Sequence, residues 1–501
     1  MADVIILSGT EWRPNSLARV QRGLGAYRVA SELKKHGYDA VVIDYIQYMS
    51  TEEIIKAISK VLTKDTLWLG YSSSFFIMRK EDSSPLTPIE KMYQSTPYNQ
   101  IYQIYDYVKS NSKAKIVFGG SFALISQADP EVDYYVTGYG DVSTVDLTNY
   151  LSGKTYKIEH CEEKYIGTTK CIVVDSGKYP EPAMDTLQTF WQEESVNLLP
   201  GEAVPLEFAR GCIFKCKFCS YPLLGKKKGT YIRDMEEVRD EILQLWETKG
   251  TDSYYITDDT FNDDNDKMEE FHKLFTSLPF KPKFSCFLRL DLIDRFPHQA
   301  DLLLEAGLIG NFFGVETLNH KSGKAIGKGL HPDRIKERLS WVRDKWKDKV
   351  NIGTAFIFGL PYDDEKYFQE LWDYVHSADY PAQNTSFNAL FMTDKTKSNY
   401  PYQSEFSMNP EIYGYSFDDN GWVHKEQGLD FKMCTDIASS FHRSLLPKTY
   451  IADFQMISYL SLGVALEDIL KYNQFDLVNH YDIPKLNDQK ILQYKTMVGA
   501  I

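Results

Sequence analysis

The chain has 501 residues, of which 43% are hydrophobic and 25% are charged, and this profile predicts a globular protein of roughly two to four domains. Its net charge of −14 argues against broad, sequence-independent nucleic-acid binding. No apolar run is long enough to span a bilayer, and no basic segment precedes the first apolar run, so we expect no membrane association, no signal peptide and a cytoplasmic location. Seven cysteines in such a chain do not predict a disulfide framework.

The first 150 residues alternate short apolar runs with amphipathic stretches. Apolar residues recur at helical spacing over residues 17–37, and Ser50 begins a capping box in front of a second helix. Five strands are predicted, at residues 4–7, 40–43, 67–71, 115–118 and 134–136. Strands that alternate with helices predict an α/β domain with a doubly wound, mostly parallel sheet over residues 1–150.

Small residues stand at the carboxyl ends of three of these strands. Open parallel sheets bind ligands at that edge, and small residues let a backbone approach a large flat ligand. The candidate ligand-binding residues are Ser72, Ser73, Gly119, Gly120, Gly138 and Gly140. Because glycines also end strands for purely structural reasons, the pattern leaves both a pocket and a plain sheet edge as interpretations.

Three closely spaced cysteines carry the strongest chemical signal. After a proline-punctuated connector over residues 151–200, a strand at 205–209 runs into Cys212, Cys216 and Cys219, with Cys-x3-Cys-x2-Cys spacing. Three thiolates in one loop can bind three irons of a [4Fe–4S] cluster and leave the fourth iron open. A structural zinc site is the alternative, but it needs four ligands and usually a second paired motif, which the sequence lacks. A ferredoxin-type cluster would need a fourth cysteine.

This motif, with the aromatic Phe218 before its last cysteine, resembles the signature of the radical S-adenosylmethionine (SAM) superfamily. The resemblance implies that SAM chelates the open iron and that the reduced cluster cleaves SAM to a 5′-deoxyadenosyl radical. It also implies a partial (β/α)6 barrel over residues 201–395. The sequence supplies five further strand candidates, at 254–257, 284–290, 311–315, 352–358 and 386–391, with helical patterns between them.

Charged residues stand where the barrel strands are predicted to end, which is the edge that carries the active site in barrels. By resemblance, Asp258, Arg289 and Glu316 line the SAM and substrate side, while Gly359 and the backbone near Phe218 flank the adenine. Strand-end charges also form structural ion pairs, and that is the second interpretation of each residue.

The fifth barrel strand departs from the pattern of the superfamily. Ala355 stands where a glycine is usual, and the nearest acid after the strand is Asp363. The resemblance therefore says less about SAM placement at this strand than at the others.

The first 150 residues also resemble the cobalamin-binding, flavodoxin-like domain that precedes many radical SAM modules. The matching stretches are residues 23–44, 70–74, 116–121 and 133–141. The Asp-x-His-x-x-Gly motif that ligates cobalt from below is missing, so the resemblance implies cobalamin without a histidine lower ligand. His36 is expected to interact with the end of the first helix instead.

The dispersed cysteines restrict the choice of subfamily. Methylthiotransferase-like members need a second cluster on N-terminal cysteines, and no cysteine precedes Cys161. Members with auxiliary clusters need a cysteine-rich tail, yet only Cys434 follows Cys286. One cluster is therefore expected, and Cys286 is expected to be a buried packing residue.

The resemblance implies a cobalamin-dependent methyltransferase that acts on an unactivated carbon of a small-molecule or peptide substrate and receives electrons from a reductant such as flavodoxin or ferredoxin. One alternative is a cobalamin-independent radical SAM enzyme that performs a rearrangement, oxidation or ring contraction and uses the N-terminal domain as a scaffold. The other is a non-catalytic iron–sulfur protein.

Residues 396–501 predict a mainly helical region, with helices at 431–445 and 460–472. This region is rich in aromatic residues, which can either close the open side of the barrel over substrate or form ordinary core. They are Tyr402, Phe406, Tyr413, Tyr415 and Trp422.

Overall fold

Two large β-sheets, the first mostly and the second entirely parallel, follow one another along the chain in this computed structural model. It describes residues 1–9, 18–73, 76–79, 94–121, 123–124, 129–166, 168–191, 193–221, 223–396, 402–445, 451 and 455–501. The architecture is α/β with a helical C-terminal part, as the sequence predicts. Within these residues no helix combines the length and the apolar character that a membrane span requires.

The N-terminal part contains nine described strands and four α-helices. The strands are β1 (Val4–Leu7), β2 (Ala40–Ile43), β3 (Trp68–Ser72), β4 (Phe76–Arg79), β5 (Gln94–Pro97), β6 (Lys115–Gly120), β7 (Tyr134–Thr137), β8 (Cys161–Ile166) and β9 (Thr169–Asp175). The helices are α1 (Leu24–Lys35), α2 (Thr51–Val61), α3 (Tyr98–Asn111) and α4 (Asp141–Leu151). Seven strands form one sheet in the order β2-β1-β3-β6-β7-β9-β8, and β4 pairs with β5 separately.

The first helix is shorter than its sequence pattern predicts. It begins at Leu24 rather than near residue 17, which lies outside the described residues. The Arg22 side chain turns inward and pairs with Glu202, and Gly23, in an extended conformation, precedes the first helical residue. At the other end Gly37, with φ +81°, stops the helix, because the left-handed conformation is open to glycine at little cost.

The second helix confirms its predicted capping box. The Ser50 hydroxyl accepts a hydrogen bond from the Glu53 N–H over 3.2 Å, and the Glu53 carboxylate accepts one from the Ser50 N–H over 2.7 Å.

A hairpin from the predicted connector adds two strands to the N-terminal sheet. Strand β9 pairs in parallel with β7, and β8 pairs antiparallel with β9 at the sheet edge. The inward side chains of Cys171 and Val173 join the core of the sheet, and burial of their apolar surface stabilises the packing of this segment. The boundaries at residues 150, 200 and 395 stay predictions.

Six strands of the central region form a single parallel sheet in sequence order, each neighbour following the last. They are β10 (Val204–Leu206), β11 (Ser253–Ile256), β12 (Lys283–Leu288), β13 (Leu308–Glu316), β14 (Asn351–Phe358) and β15 (Asn384–Ala389). The helices are α5 (Met235–Lys249), α6 (Asn265–Ser277), α7 (Leu290–Arg295), α8 (Gln299–Glu305), α9 (His320–Ala325), α10 (Pro332–Trp346) and α11 (Glu365–His376). This alternation agrees with the partial barrel expected from the sequence.

The C-terminal part contains a small sheet that the sequence pattern does not reveal. Strands β16 (Tyr415–Asp418), β17 (Gly421–His424) and β18 (Leu429–Asp430) form an antiparallel meander. The helices are α12 (Glu405–Met408), α13 (Phe431–Leu445), α14 (Gln455–Ser461), α15 (Leu466–Lys471), α16 (Gln474–His480) and α17 (Ile483–Met497). The single helix expected at 460–472 is split into α14 and α15 at Gly463, whose φ is +81°.

The C-terminal aromatic residues both form core and cover the edge of the barrel sheet. Phe406, Tyr415 and Trp422 are buried, and the Trp422 indole N–H donates to the carbonyl of Leu390 just beyond β15. Helix α13 packs on β15, with the Phe441 and Phe387 rings 4.9 Å apart. The last sheet strand is therefore covered rather than exposed.

Candidate functional site

The three cysteines of the motif line one cavity of about 220 Å³ at the carboxyl ends of the barrel strands, here called the cysteine cavity. Its lining comprises Cys212, Phe214, Cys216, Phe218, Cys219, Tyr221, Leu224, Asp259, Thr260, Phe287, Leu288, Arg289, Phe312, Gly314, Glu316, Lys328 and Ala355. The loop is folded on itself: the N–H of Cys212 donates to the Leu223 carbonyl over 3.2 Å. Gly211, at φ +94°, lies so close to the same carbonyl that a side chain would clash.

The sulfur atoms lie in a partly buried, polar setting. The Cys212 thiol lies 3.5 Å from the Thr260 hydroxyl, and the Arg289 Nη1 donates to the Cys216 Sγ over 3.3 Å. Burial raises the pKa of the Cys212 thiol and raises that of Cys219 to about 12. Thiols in this state must give up their protons when they bind iron.

Arg289 is held in place from two sides. Its Nε and Nη2 donate to the two carboxylate oxygens of Asp291, over 3.0 and 2.7 Å, and its guanidinium lies 3.8 Å from the Phe214 ring centre. Against the effect of burial, Arg289 lowers the pKa of the Asp291 carboxyl. A fixed positive charge therefore faces the cysteines.

Glu316 lines the same cavity in an unusual backbone conformation. It ends β13 with φ +69°, where the pairing of β13 with β14 shifts register after Gly314. Its carboxylate lies 3.1 Å from the Lys328 Nζ. A non-glycine residue at positive φ costs about 1–3 kcal/mol, and such strain concentrates at functional sites.

Two residues expected on the SAM side lie elsewhere. Asp258 is buried behind the cavity, where its carboxylate accepts the N–H groups of Phe208 and Ala209 and pairs with Lys267. Asp258 therefore forms a structural ion pair, which is the second interpretation that the sequence allowed for the strand-end charges.

Gly359 is likewise absent from the lining, because Trp422 lies directly against its Cα. Its carbonyl accepts a hydrogen bond from the Tyr415 hydroxyl over 2.7 Å. The C-terminal meander thus covers the place where an adenine was expected, and sequence reasoning could not foresee a contact across 56 residues or more.

Asp259, the neighbour of Asp258, supplies the carboxylate that faces the cavity. Burial raises its pKa to about 7, and the nearby carboxylates of Asp258 and Glu207 add to the rise. Successive side chains at a strand end point in opposite directions, so only one of two adjacent acids can face the cavity. A shift of one residue would exchange Asp258 and Asp259.

A second cavity, of about 310 Å³, lies at the carboxyl ends of the N-terminal strands and is here called the strand-end cavity. Five of the six small residues singled out in the sequence line it: Ser72, Gly119, Gly120, Gly138 and Gly140. Ser73 does not; it is fully buried, and its N–H donates to the Gly119 carbonyl over 2.7 Å. No histidine is found among the described residues that line this cavity.

Buried charges that the sequence did not single out form one wall of the strand-end cavity. Glu207 pairs with both Arg28 and Arg210, and Arg210 also pairs with Asp141. Against the effect of burial, the two arginines lower the pKa of the Glu207 carboxyl to about 2. Arg210 lies two residues before Cys212, a signal that sequence reasoning passed over.

The two cavities adjoin. Tyr221, Asp259 and Phe287 line both of them, so these three side chains form the partition between the N-terminal sheet and the cysteine loop. Groups held in the two cavities would therefore meet at this partition.

The central region matches the sequence profile of the Radical SAM superfamily over residues 206–375. Residues 206–375 form a radical SAM domain.

Curated relatives of this chain include the ribosomal protein uS12 methylthiotransferase RimO of Pasteurella multocida (strain Pm70), 24% identical over 299 residues, or 55% of this chain and 66% of the relative. RimO of Shewanella amazonensis (strain ATCC BAA-1098 / SB2B) is 24% identical over 298 residues, 55% and 61% of the two chains. The chain thus spans less than two thirds of the length of these relatives.

Two cobalamin-dependent radical SAM enzymes share the fold. The radical SAM methyltransferase TsrM from Kitasatospora setae, with tryptophan and a SAM analogue bound, superposes with a TM-score of 0.64 at 14% identity, covering 96% of this chain and 99% of TsrM. OxsB with aqua-cobalamin bound gives a TM-score of 0.56 at 16% identity, covering 82% of this chain and 56% of OxsB.

The radical SAM domain implies a [4Fe–4S] cluster and SAM, and the donors present fit both. Three thiols open onto one cavity, and charged groups of both signs, Arg289 and Glu316, stand beside them for the carboxylate and ammonium of an amino acid. Within the described residues no three His, Cys, Asp or Glu side chains are arranged as ligands of a single ion. The three thiolates would each bind a different iron.

Proposed function

We propose that this chain is a cobalamin-dependent radical SAM methyltransferase that acts on an unactivated carbon. The observation that carries the proposal is the shared partition of Tyr221, Asp259 and Phe287 between the strand-end cavity and the cysteine cavity. A methyl donor in the first cavity and a SAM-derived radical in the second would act on one substrate carbon only if the two groups stood face to face.

The strand-end cavity has features that suit cobalamin. It lies at the carboxyl ends of parallel strands, and glycine backbone forms part of its wall, so a large flat ligand can approach closely. Among the described residues, Arg28 Nη1 and Asp141 Oδ1 are buried at this cavity without a hydrogen-bond partner. Buried polar groups are costly to leave unpaired, so a ligand rich in amide groups would satisfy them.

When bound, the cluster supplies the electron that cleaves SAM, and cobalamin supplies the methyl group. Arg289 and Glu316 would orient the two charged ends of the SAM methionyl group. The Asp259 carboxyl, with its pKa near neutrality, can accept a proton from a substrate at the partition. The covering meander excludes water from the barrel edge.

The RimO relatives suggest methylthio transfer as a second candidate. By the superfamily resemblance, methylthiotransferases hold a second cluster on N-terminal cysteines, and this sequence has no cysteine before Cys161. The cysteine distribution therefore favours methyl transfer. We expect a small-molecule or peptide substrate and no broad nucleic-acid binding, in line with the net charge of −14.

The test begins with anaerobic reconstitution of the protein with iron, sulfide and cobalamin, followed by desalting and measurement of iron and cobalt per chain. Retention of both metals, and transfer of a labelled methyl group from SAM to the protein-bound cobalamin, would support the proposal. Iron with 5′-deoxyadenosine formation but without cobalt would favour the cobalamin-independent enzyme. Iron without SAM cleavage would favour the non-catalytic protein.

A second iron–sulfur cluster on the reconstituted chain would contradict the methyltransferase and favour methylthio transfer. The iron content distinguishes these outcomes, because one cluster needs the three motif cysteines alone and two clusters need further ligands.

A further inference from the structure

A lysine-rich surface surrounds the cysteine loop of this otherwise acidic chain. Between Arg210 and Arg233 the sequence contains five lysines and no acidic residue, and between Glu316 and Asp333 it contains three lysines and no acidic residue. The whole chain carries 70 acidic against 56 basic side chains, so these two segments oppose the general charge.

The fold brings the two basic segments together. The Lys217 N–H donates to the Ile326 carbonyl over 3.2 Å, which joins the cysteine loop to the turn after α9. The Lys215 side chain lies against Gly225, which brings the loop of residues 226–228 to the same face. The lysine surface is defined here as Lys215, Lys217, Lys227, Lys321 and Lys324.

Most members of the lysine surface are exposed to solvent and are not neutralised by an ion pair. Lys215, Lys227, Lys321 and Lys324 are exposed, and none of them has an ion-pair partner among the described residues. Lys217 lies 5.0 Å from the Tyr413 ring centre. The neighbouring Lys226, Lys228 and Lys328 are instead paired with Glu181, Asp266 and Glu316. An acid, Glu405, also lies near this face, because the N–H of its neighbour Phe406 donates to the Lys217 carbonyl.

The lysine surface lies on the outer side of the loop that carries the three motif cysteines. Lys215 and Lys217 flank Cys216, whose side chain is only partly buried, so the basic face covers the outer side of the cluster loop. An electron for the cluster must enter from outside, because each SAM cleavage consumes one. Weak electron-transfer complexes bury less than about 1,200 Å² of surface, so a small patch such as the lysine surface is large enough to form one.

We propose that the lysine surface is the docking site of an acidic one-electron carrier protein. In that encounter one electron passes from the carrier to the cluster, so the carrier is oxidised by one electron and the cluster is reduced by one. The inference rests on the cluster chemistry of the proposed function and is independent of methyl transfer. Complementary charge would speed the encounter and make it sensitive to salt.

The test compares two triple variants of the full-length protein that change the net charge equally. The surface variant is Lys227→Glu, Lys321→Glu and Lys324→Glu. The matched control is Lys64→Glu, Lys113→Glu and Lys281→Glu, three exposed lysines that precede β3, β6 and β12 and therefore lie at the opposite ends of the strands from the cavities.

Binding of an acidic flavodoxin is measured first, by calorimetry at low salt on protein that carries the cluster but has not been given SAM. The surface variant is expected to bind at least tenfold more weakly than the wild type, and the control within twofold of it, because the encounter depends on local charge. The wild-type affinity should fall as salt is raised. Equal binding by the two variants, or equal weakening of both, would overturn the proposal.

The rate of 5′-deoxyadenosine formation is measured second, with flavodoxin or with dithionite as the reductant. The surface variant should be slow with flavodoxin and normal with dithionite, whereas the control should be normal with both. Because neither readout depends on a methylated product, failure of methyl transfer would leave this result intact. A surface variant that is normal with flavodoxin would contradict the docking site.

Discussion

The Arg289 guanidinium donates a hydrogen bond to the Cys216 Sγ over 3.3 Å while it forms a two-point pair with Asp291. A positive charge is thus fixed beside one sulfur ligand of the expected cluster. Charge and hydrogen bonds at the sulfurs are among the factors that set cluster reduction potentials.

Arg289→Gln should therefore make the cluster harder to reduce. A hydrogen bond to a charged group is worth about 1.5–3 kcal/mol, which for one electron corresponds to a potential lower by at most about 65–130 mV. Redox titration followed by electron paramagnetic resonance would measure the shift. Arg289→Lys, which keeps the charge, should shift the potential less. An unchanged potential in the Gln variant would show that the contact does not tune the cluster.

Replacing any one of Cys212, Cys216 and Cys219 by alanine should abolish cluster assembly. The reason is that a cubane left with two protein thiolates loses a ligand that nothing nearby replaces. Iron content and visible absorbance after reconstitution would measure the loss. Cys161→Ala, at an exposed position on β8, is the control and should keep full iron content. A full iron complement in a motif variant would remove that cysteine from the ligand set.

Gly119 offers a way to block the proposed cobalamin site. An added Cβ would lie 3.7 Å from Val136, an ordinary contact, and the backbone needs no positive φ. Gly119→Ala should therefore retain cobalamin, whereas Gly119→Leu should fill the strand-end cavity and lower cobalt retention at least tenfold. Iron content should be unchanged in both variants. Equal cobalt retention by the two would place cobalamin elsewhere.

Asp363 should make the stability of the protein depend on pH. Burial raises the pKa of its carboxyl to about 8, although the N–H groups of Leu360 and Gly359 and the Ser322 hydroxyl donate to it. In the unfolded chain the pKa is about 3.9, so between pH 4 and pH 8 the folded state holds the proton more tightly. Its contribution to stability is complete below pH 4 and is lost as the pH rises through about 8.

Asp363→Asn keeps an acceptor oxygen and cannot ionise, so its melting temperature should fall less between pH 5.5 and pH 8 than that of the wild type. The two melting temperatures should diverge by roughly 6–12 °C over this range, since the raised pKa predicts a loss of about 3 kcal/mol and each 1 kcal/mol shifts melting by roughly 2–4 °C in domains of this size. Asp348→Asn, at an exposed position, should keep the wild-type slope. Parallel slopes for all three proteins would rule out Asp363 as the titrating group.

The sequence predicted the main strands of both large sheets and the three cysteines that line the cysteine cavity. Strand runs, the Ser50 capping box and the three-cysteine motif are local patterns, in which each residue acts through neighbours a few positions away. Glycines at strand ends likewise marked the strand-end cavity, because parallel strands bring their carboxyl ends to one edge.

Only the tertiary structure decided which charged residues face a cavity and which form ion pairs. Asp258 and Asp259 are adjacent acids with opposite surroundings, and the choice depends on Lys267 packing behind the sheet. Trp422 covers Gly359. Arg22 lies outside the helix predicted for it and pairs with Glu202, a residue 180 positions away. These outcomes rest on contacts between segments far apart in the chain, and no local pattern carries that information.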